Sequence, residues 1–92
     1  MIYEVVLLPL AEQDIRALPL PLQNYVEEQL NRLASQPASL SRPSAFPFPP
    51  NCQLFQPDPV QLDDEVHYFT VIFQYAQDET TLRILGIGHT RS

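Results

Sequence analysis

The run Val66-His67-Tyr68-Phe69-Thr70-Val71-Ile72-Phe73-Gln74-Tyr75 decides the fold, together with the Ala76-Gln77-Asp78-Glu79 break and Thr80-Thr81-Leu82-Arg83-Ile84-Leu85-Gly86-Ile87-Gly88-His89 after it. Two stretches rich in β-branched and aromatic side chains flank a short polar segment, the pattern of half-buried strands joined by a tight turn. A turn of three or five residues would swap the faces, whereas a loop of two residues (Asp78-Glu79) or of four (Gln77 to Thr80) gives one register. Tyr75 then faces Leu82, Phe73 faces Ile84, Val71 faces Gly86 and Phe69 faces Gly88. His67, Phe69, Val71, Phe73, Tyr75, Leu82 and Ile84 form the core face. Tyr68, Thr70, Ile72 and Gln74 fall on the other face with Arg83, Leu85, Ile87 and His89, with Tyr68 opposite His89 and Gln74 opposite Arg83. Gly86 and Gly88 are expected to make room for Phe69 and for a covering helix.

With 92 residues, 45% hydrophobic content and nine aromatic residues, the chain reads as a single folded domain over 1–92. No apolar run approaches the ~20 residues of a membrane span. Met1-Ile2-Tyr3-Glu4 lacks the positive region of a signal peptide, and the lone Cys52 has no internal disulfide partner, so a cytoplasmic location is expected. Cys52 has no Cys or His at ligand spacing, so neither metal nor cofactor is expected. Eleven acidic residues stand against five arginines and no lysine, a net charge of −6. That balance disfavours nonspecific polyanion binding, which needs Lys and Arg against phosphate, and suits a basic protein partner.

Ahead of the hairpin, Ile2 to Leu8 reads as a strand ended by Pro9. Leu10 to Leu18 is a short helix with Glu12 and Asp14 in its first turn, where the helix dipole favours carboxylates. Leu18-Pro19-Leu20-Pro21 stops it. Pro21 to Ser35 is amphipathic, with Leu22, Tyr25, Val26, Leu30 and Leu33 in one stripe expected to cover the core face of the hairpin. From Pro37 to Pro50, five prolines predict an extended connection strapped over the core by Leu40, Phe46 and Phe48. Asn51 to Gln56 is a short strand, and Val60 to Glu65, with Asp63-Asp64-Glu65, is a solvated loop. This order gives an α+β fold, β-α-α-β-β-β, with an antiparallel-rich sheet and a two-helix hairpin on one face.

Several segments also resemble the RelE/ParE superfamily of type II toxin–antitoxin systems. They are Tyr3-Glu4-Val5-Val6-Leu7-Leu8-Pro9-Leu10-Ala11 with Asp14-Ile15 and Leu18, Leu30-Asn31-Arg32-Leu33-Ala34, Phe69 to Tyr75, and Leu82 to His89. The resemblance implies a toxin-like fold whose RelE branch cuts messenger RNA in the ribosome with basic residues on the open sheet face, and whose ParE branch acts on DNA gyrase. Where that pattern carries lysines before the hairpin, this chain has Gln53, Leu54, Phe55 and Gln56. Where the middle strand commonly begins with arginine, it has Phe69 and Thr70, and Thr90 precedes Arg91 where a basic residue is expected.

RNA scission by a ribose hydroxyl needs a proton acceptor, a proton donor and charge stabilisation at the phosphate. Only Arg83, His89, Arg91 and Tyr68 are candidates for those roles. Gly86-Ile87-Gly88 is no phosphate loop, because no helix N-terminus follows it. The expectation is a toxin-superfamily protein with weak or no RNase activity that works through protein binding, to an antitoxin-like and basic partner or to a second copy of itself. The alternatives are an active toxin, acting on ribosome-bound mRNA or on gyrase, and a plain dimerising domain.

Overall fold

The computed structural model describes residues 2–45 and 51–92. The elements run β1 (Glu4–Leu7), α1 (Pro9–Arg16), α2 (Leu20–Ser35), α3 (Pro37–Leu40), β2 (Ser41–Pro43), β3 (Gln53–Phe55), β4 (Val60–Leu62), β5 (Glu65–Tyr75) and β6 (Thr81–Arg91). One sheet holds every strand in the order β1-β6-β5-β3-β2, with β4 also pairing with β5. All pairings are antiparallel except β1 with β6. No helix among the described residues is long and apolar enough to cross a membrane.

The turn between β5 and β6 is the four-residue alternative. Ala76 N–H donates to the Thr81 carbonyl at 2.9 Å, and Glu79 sits at φ 59°. Asp78 builds this turn, its Oδ1 accepting from the amides of Thr80 at 2.9 Å and Thr81 at 3.1 Å. From there Tyr75 pairs with Leu82, Gln74 with Arg83 and Phe73 with Ile84, as the sequence indicates.

Beyond Phe73 the ladder shifts, and Ile72 pairs with Gly86. Leu85 is therefore an extra residue on β6, a β-bulge. Every later pairing is displaced: Val71 faces Ile87, Thr70 faces Gly88, Phe69 faces His89, Tyr68 faces Thr90 and His67 faces Arg91. The expected pairs Val71–Gly86, Phe69–Gly88 and Tyr68–His89 are thus corrected, and Ile87 and His89 move to the helix side. Burial explains the outcome. The shift puts Ile87 into the core at 6% exposure, where the unshifted register would spend that position on a glycine. The steric role expected of the glycines also fails. A Cβ on Gly86 would meet nothing closer than Asp14 Oδ2 at 3.6 Å, and one on Gly88 nothing closer than Thr70 at 3.8 Å.

Both long helices cover one face of the sheet. Ala11, Ile15 and Leu18 from the first helical segment and Leu22, Val26, Leu30 and Leu33 from α2 pack on Phe55, Phe69, Val71, Phe73, Leu82, Ile84 and Ile87. The amphipathic stripe read from the sequence is the buried one, with Tyr25 half-buried at its edge. Pro9 both ends β1 and occupies the first turn of α1, where its missing N–H costs nothing. β1 lies at an edge of the sheet, with Val5 and Leu7 against the core and Val6 exposed.

Two connections differ from expectation. The stretch after Gln36 is not uniformly extended, because Pro37 opens the single-turn α3, and Ser41 to Pro43 then forms an edge strand on β3. A proline at a first helical position or at a sheet edge forfeits no needed hydrogen bond. Leu40 packs against the core, whereas the strapping role expected of Phe46 and Phe48 lies outside the described residues. The acidic run is also more than a loop. Val60 to Leu62 pairs with β5, Leu62 opposite Glu65, and Asp63 and Asp64 sit at φ 51° and 67°. Those are the angles of a two-residue type I′ turn, which aspartate tolerates better than most residues.

One side chain joins the first helix to the bulge. Asp14 of α1 accepts the Ile87 amide on its Oδ2 at 2.9 Å, two residues past the extra Leu85. β1 has already ended by then, its last pair being Leu7 with Ile84. Replacing Asp14 with Ala leaves that amide without its partner and is expected to destabilise the chain by about 1–3 kcal/mol, with Asp14→Asn losing less. Phe73→Ala, at a fully buried position, is expected to lose about 3–5 kcal/mol. Urea unfolding of the three variants measures both, and an unchanged midpoint for Asp14→Ala would remove the helix-to-bulge tie from the account.

Candidate functional site

The four candidate residues separate into two groups. Tyr68 and Arg83 lie on the face without helices, since their neighbours Phe69, Ile84 and Leu82 point to the core. Tyr68 is 45% exposed, and its cross-strand neighbour is Thr90. Arg83 sits near the turn, opposite Gln74 and beside Val6 of β1. Seven residues of β6 separate it from Thr90, about 23 Å at ~3.3 Å per residue. His89 and Arg91 are on the helix side. The structure therefore does not bring Arg83 together with His89 and Arg91.

What it does assemble is a small cluster at the far end of the hairpin. The Nδ1 of His67 and the Nε2 of His89 stand 2.8 Å apart, joined by one hydrogen bond in which one ring donates and the other accepts. The rings are 19° from parallel with centroids 5.1 Å apart, so with facing nitrogens this close they meet edge to edge in nearly one plane. The His89 ring also lies parallel to that of Phe69, at 4.8 Å and 10°. Phe69 in turn meets Tyr25 of α2 at 6.1 Å, and the Tyr25 hydroxyl donates to the Asp58 carbonyl. His67 is 4% exposed, and Arg91 Nε stands 3.5 Å from Glu65 Oε2.

His89 and Thr90 line two clefts. One of about 490 Å³ opens between the end of α1 and the end of β6, with Asp14, Leu18, Ile87 and Arg91 in its walls. The other, of about 390 Å³, lies toward Tyr68, Thr70 and Gln56. Among the described residues no three His, Cys, Asp or Glu side chains converge as metal ligands. Cys52 is a buried free thiol.

The remaining cations are dispersed. Arg16 pairs with Glu12 on α1, Arg32 donates to Gln29 on α2, and Arg42 stands exposed on β2. Arg42 shares the uncovered face with Arg83, as its partner Leu54 lies opposite Ile72. From β2 across β3 and β5 to β6 is three strand spacings, about 14 Å at ~4.8 Å each.

Sequence reading missed His67 as the partner of His89 and Glu65 as that of Arg91. Both follow from the one-residue shift at Leu85. The signal available was Gly86, since a glycine inside a strand pattern often marks a bulge.

Burial, then the His67 ring and the Arg91 guanidinium, hold the His89 pKa below its ordinary 6.5, and Glu65 opposes them. A histidine whose folded value is depressed resists protonation that the unfolded chain accepts. Its contribution to stability is complete above pH ~6.5 and is lost as pH falls through the folded value. NMR titration of the ring carbons is expected to place His89 below 6.5. Arg91→Ala should raise that value and Glu65→Gln lower it further, and shifts of the opposite sign would refute this electrostatic assignment.

No protein-family model and no curated protein sequence matches the chain. Solved structures do. The structure of the RelBE2 toxin–antitoxin complex from Mycobacterium tuberculosis superposes with a TM-score of 0.79 at 18% identity, over 98% of this chain and 100% of that one. Free E. coli RelE carrying two arginine-to-alanine substitutions gives a TM-score of 0.64 at 12% identity, over 96% of this chain and 83% of that one. The intact E. coli RelBE toxin–antitoxin complex gives 0.62 at 13% identity, over 94% of each chain. Identity this low speaks to architecture alone, and the architecture of this chain is the one found in these RelE and RelBE structures.

Proposed function

We propose that this chain is a toxin-superfamily protein that works mainly by binding another protein, an antitoxin-like chain of basic character, and that its RNase activity is weak or absent. The observation that carries this reading is the dispersal of its cations. Scission of RNA by the neighbouring hydroxyl needs an acceptor and a donor for protons, and positive charge, within a few ångströms of one phosphate. Arg83 lies a strand length from His89 and Arg91, and Arg91 is engaged by Glu65.

Charge supports the choice of partner. A net charge of −6 with Glu27 and Glu28 exposed on α2 favours encounter with a basic chain over a polyanion. The two RelBE structures of matching fold are themselves toxin–antitoxin complexes.

Co-expression with the product of an adjacent small, basic open reading frame is expected to yield a complex that survives gel filtration. Expression of the chain alone is expected to leave growth unarrested, and purified chain added to translating ribosomes to leave mRNA uncut. Growth arrest or transcript cutting that disappears with Arg83→Ala or His89→Ala would replace this reading with that of an active toxin. A stable homodimer with no captured partner would favour a dimerising domain.

A further inference from the structure

The sheet ends on one side at β2 and on the other at β1, and the two edges are finished differently. β2 is three residues long and carries an exposed Arg42 and a proline, Pro43, features that keep an edge from pairing further. β1 has neither, since Glu4-Val5-Val6-Leu7 contains no proline, no arginine and no bulge. The amides of Glu4 and Leu8 donate inward, to the Thr80 and Ile84 carbonyls at 2.9 and 3.0 Å. Backbone direction alternates along a strand, so the N–H and C=O groups of Val5 and Leu7 point outward, and among the described residues they take no partner there. At Tyr3 the same edge is closed, its amide donating to the Ala34 carbonyl of α2 at 2.9 Å. Pro9 has no amide to offer. The open edge is thus Val5 and Leu7, and three exposed apolar side chains accompany it: Ile2 at 78%, Val6 at 40% and Leu10 at 62%.

We propose that this edge pairs with the same edge of a second copy of the chain, antiparallel about a two-fold axis at Val6, so that the two sheets become one. The register follows from which groups are open. With Val6 opposite Val6, Val5 of each copy meets Leu7 of the other, they exchange both amide bonds, and every open group is paired. Centring the axis on Val5 would set Leu7 against Tyr3, whose amide Ala34 already holds, and centring it on Leu7 would set Val5 against Pro9. In the Val6 register Tyr3 comes opposite Pro9, where the other chain has left the strand for α1. Ile2 then lies opposite the start of that helix, where Leu10 is exposed.

Charge favours a second copy as the occupant. Val5 and Leu7 pack against the core, so Glu4 and Val6 point to the uncovered face that also carries Arg83. Glu4 and Arg83 are both exposed, and among the described residues neither has an ion-pair partner. Arg83 is the neighbour of Val6 on β6. Across the axis, Glu4 of one copy therefore stands two strands over and two residues along from Arg83 of the other, about 10 Å by about 7 Å at ~4.8 Å per strand and ~3.3 Å per residue, within reach of the two extended side chains. The axis makes this contact on both sides. An extended segment of a basic protein would satisfy Glu4 but set like charge against Arg83. A net charge of −6 on each copy opposes association, yet it is spread over a molecule 41 Å long, several times the Debye length of ~8 Å at physiological salt. This inference concerns the chain by itself. Glu27 and Glu28 of α2, which suit the basic partner proposed above, are not part of this edge.

Sedimentation equilibrium of the full chain from micromolar to near-millimolar concentration tests the pairing. The mass is expected to rise from 10.5 kDa toward twice that value. Val6→Lys sets two ammonium groups against each other on the axis and is expected to weaken association by about tenfold, with the urea midpoint of the chain unchanged. Glu4→Arg and Arg83→Glu are each expected to weaken it, and the two together to restore it. Should Val6→Lys fold poorly, amide hydrogen exchange on the unmodified chain reads the same contact. The Val5 and Leu7 amides are expected to gain protection as concentration rises, while Val71 in mid-strand keeps its own. A chain that stays at 10.5 kDa throughout, or a dimer untouched by Val6→Lys and by both charge reversals, would overturn the proposal. So would protection of Val5 and Leu7 that appears only with a basic protein bound, which would assign the edge to that partner.

Discussion

The structure depends on how β6 is kept in register past Ile84. Up to that residue β6 is held on both sides, by β1 and by β5. Beyond it the parallel neighbour is gone, one extra residue enters, and the Ile87 amide turns to Asp14 on the first helix. A carboxylate oxygen at 2.9 Å makes up for a missing strand at that point. The same bulge decides which residues of the last strand face the helices, so the core and the candidate site are set by one local event.

Its effect on chemistry is large for so small a feature. Without the bulge, His89 would share the uncovered face with Tyr68 and Arg83, and that face would offer an imidazole, a phenol and a guanidinium. With it, His89 meets His67 and Phe69 on the helix side, and Arg91 meets Glu65. A second imidazole occupies the His89 nitrogen, and burial and a nearby guanidinium disfavour its charged form. The uncovered face is left with Arg42 and Arg83 on strands far apart. Those placements give a fold shared with RelE toxins a surface whose cations do not converge.

The buried face of the hairpin was legible in the sequence because alternation in Phe69-Thr70-Val71-Ile72-Phe73 allows one orientation only, and Phe73 and Ile84 are fully buried together. The stripe Leu22, Val26, Leu30 and Leu33 was legible for the same reason at helical period. The α+β layout followed from the order of those elements. β4 was not legible, because Val60-Gln61-Leu62 is too short to show a period, and the acids after it act as turn residues through their backbone angles rather than their charge. α3 and β2 were hidden by prolines, which look like breakers yet sit where no amide is missed.

The amino-acid sequence by itself determined the layers, the buried faces of β5 and α2, the acidic balance and the scarcity of positive charge, since all of these follow from residue type and spacing. Tertiary structure alone decided the partners of Tyr68, His89 and Arg91, whereas the Gln74–Arg83 pair was already given by the turn. Side-chain facing in a strand has a period of two, so inserting a single residue exchanges the faces, and the Ile87 amide two places past that residue is held by a carboxylate 73 positions away in the chain. No local window of sequence contains both ends of that contact.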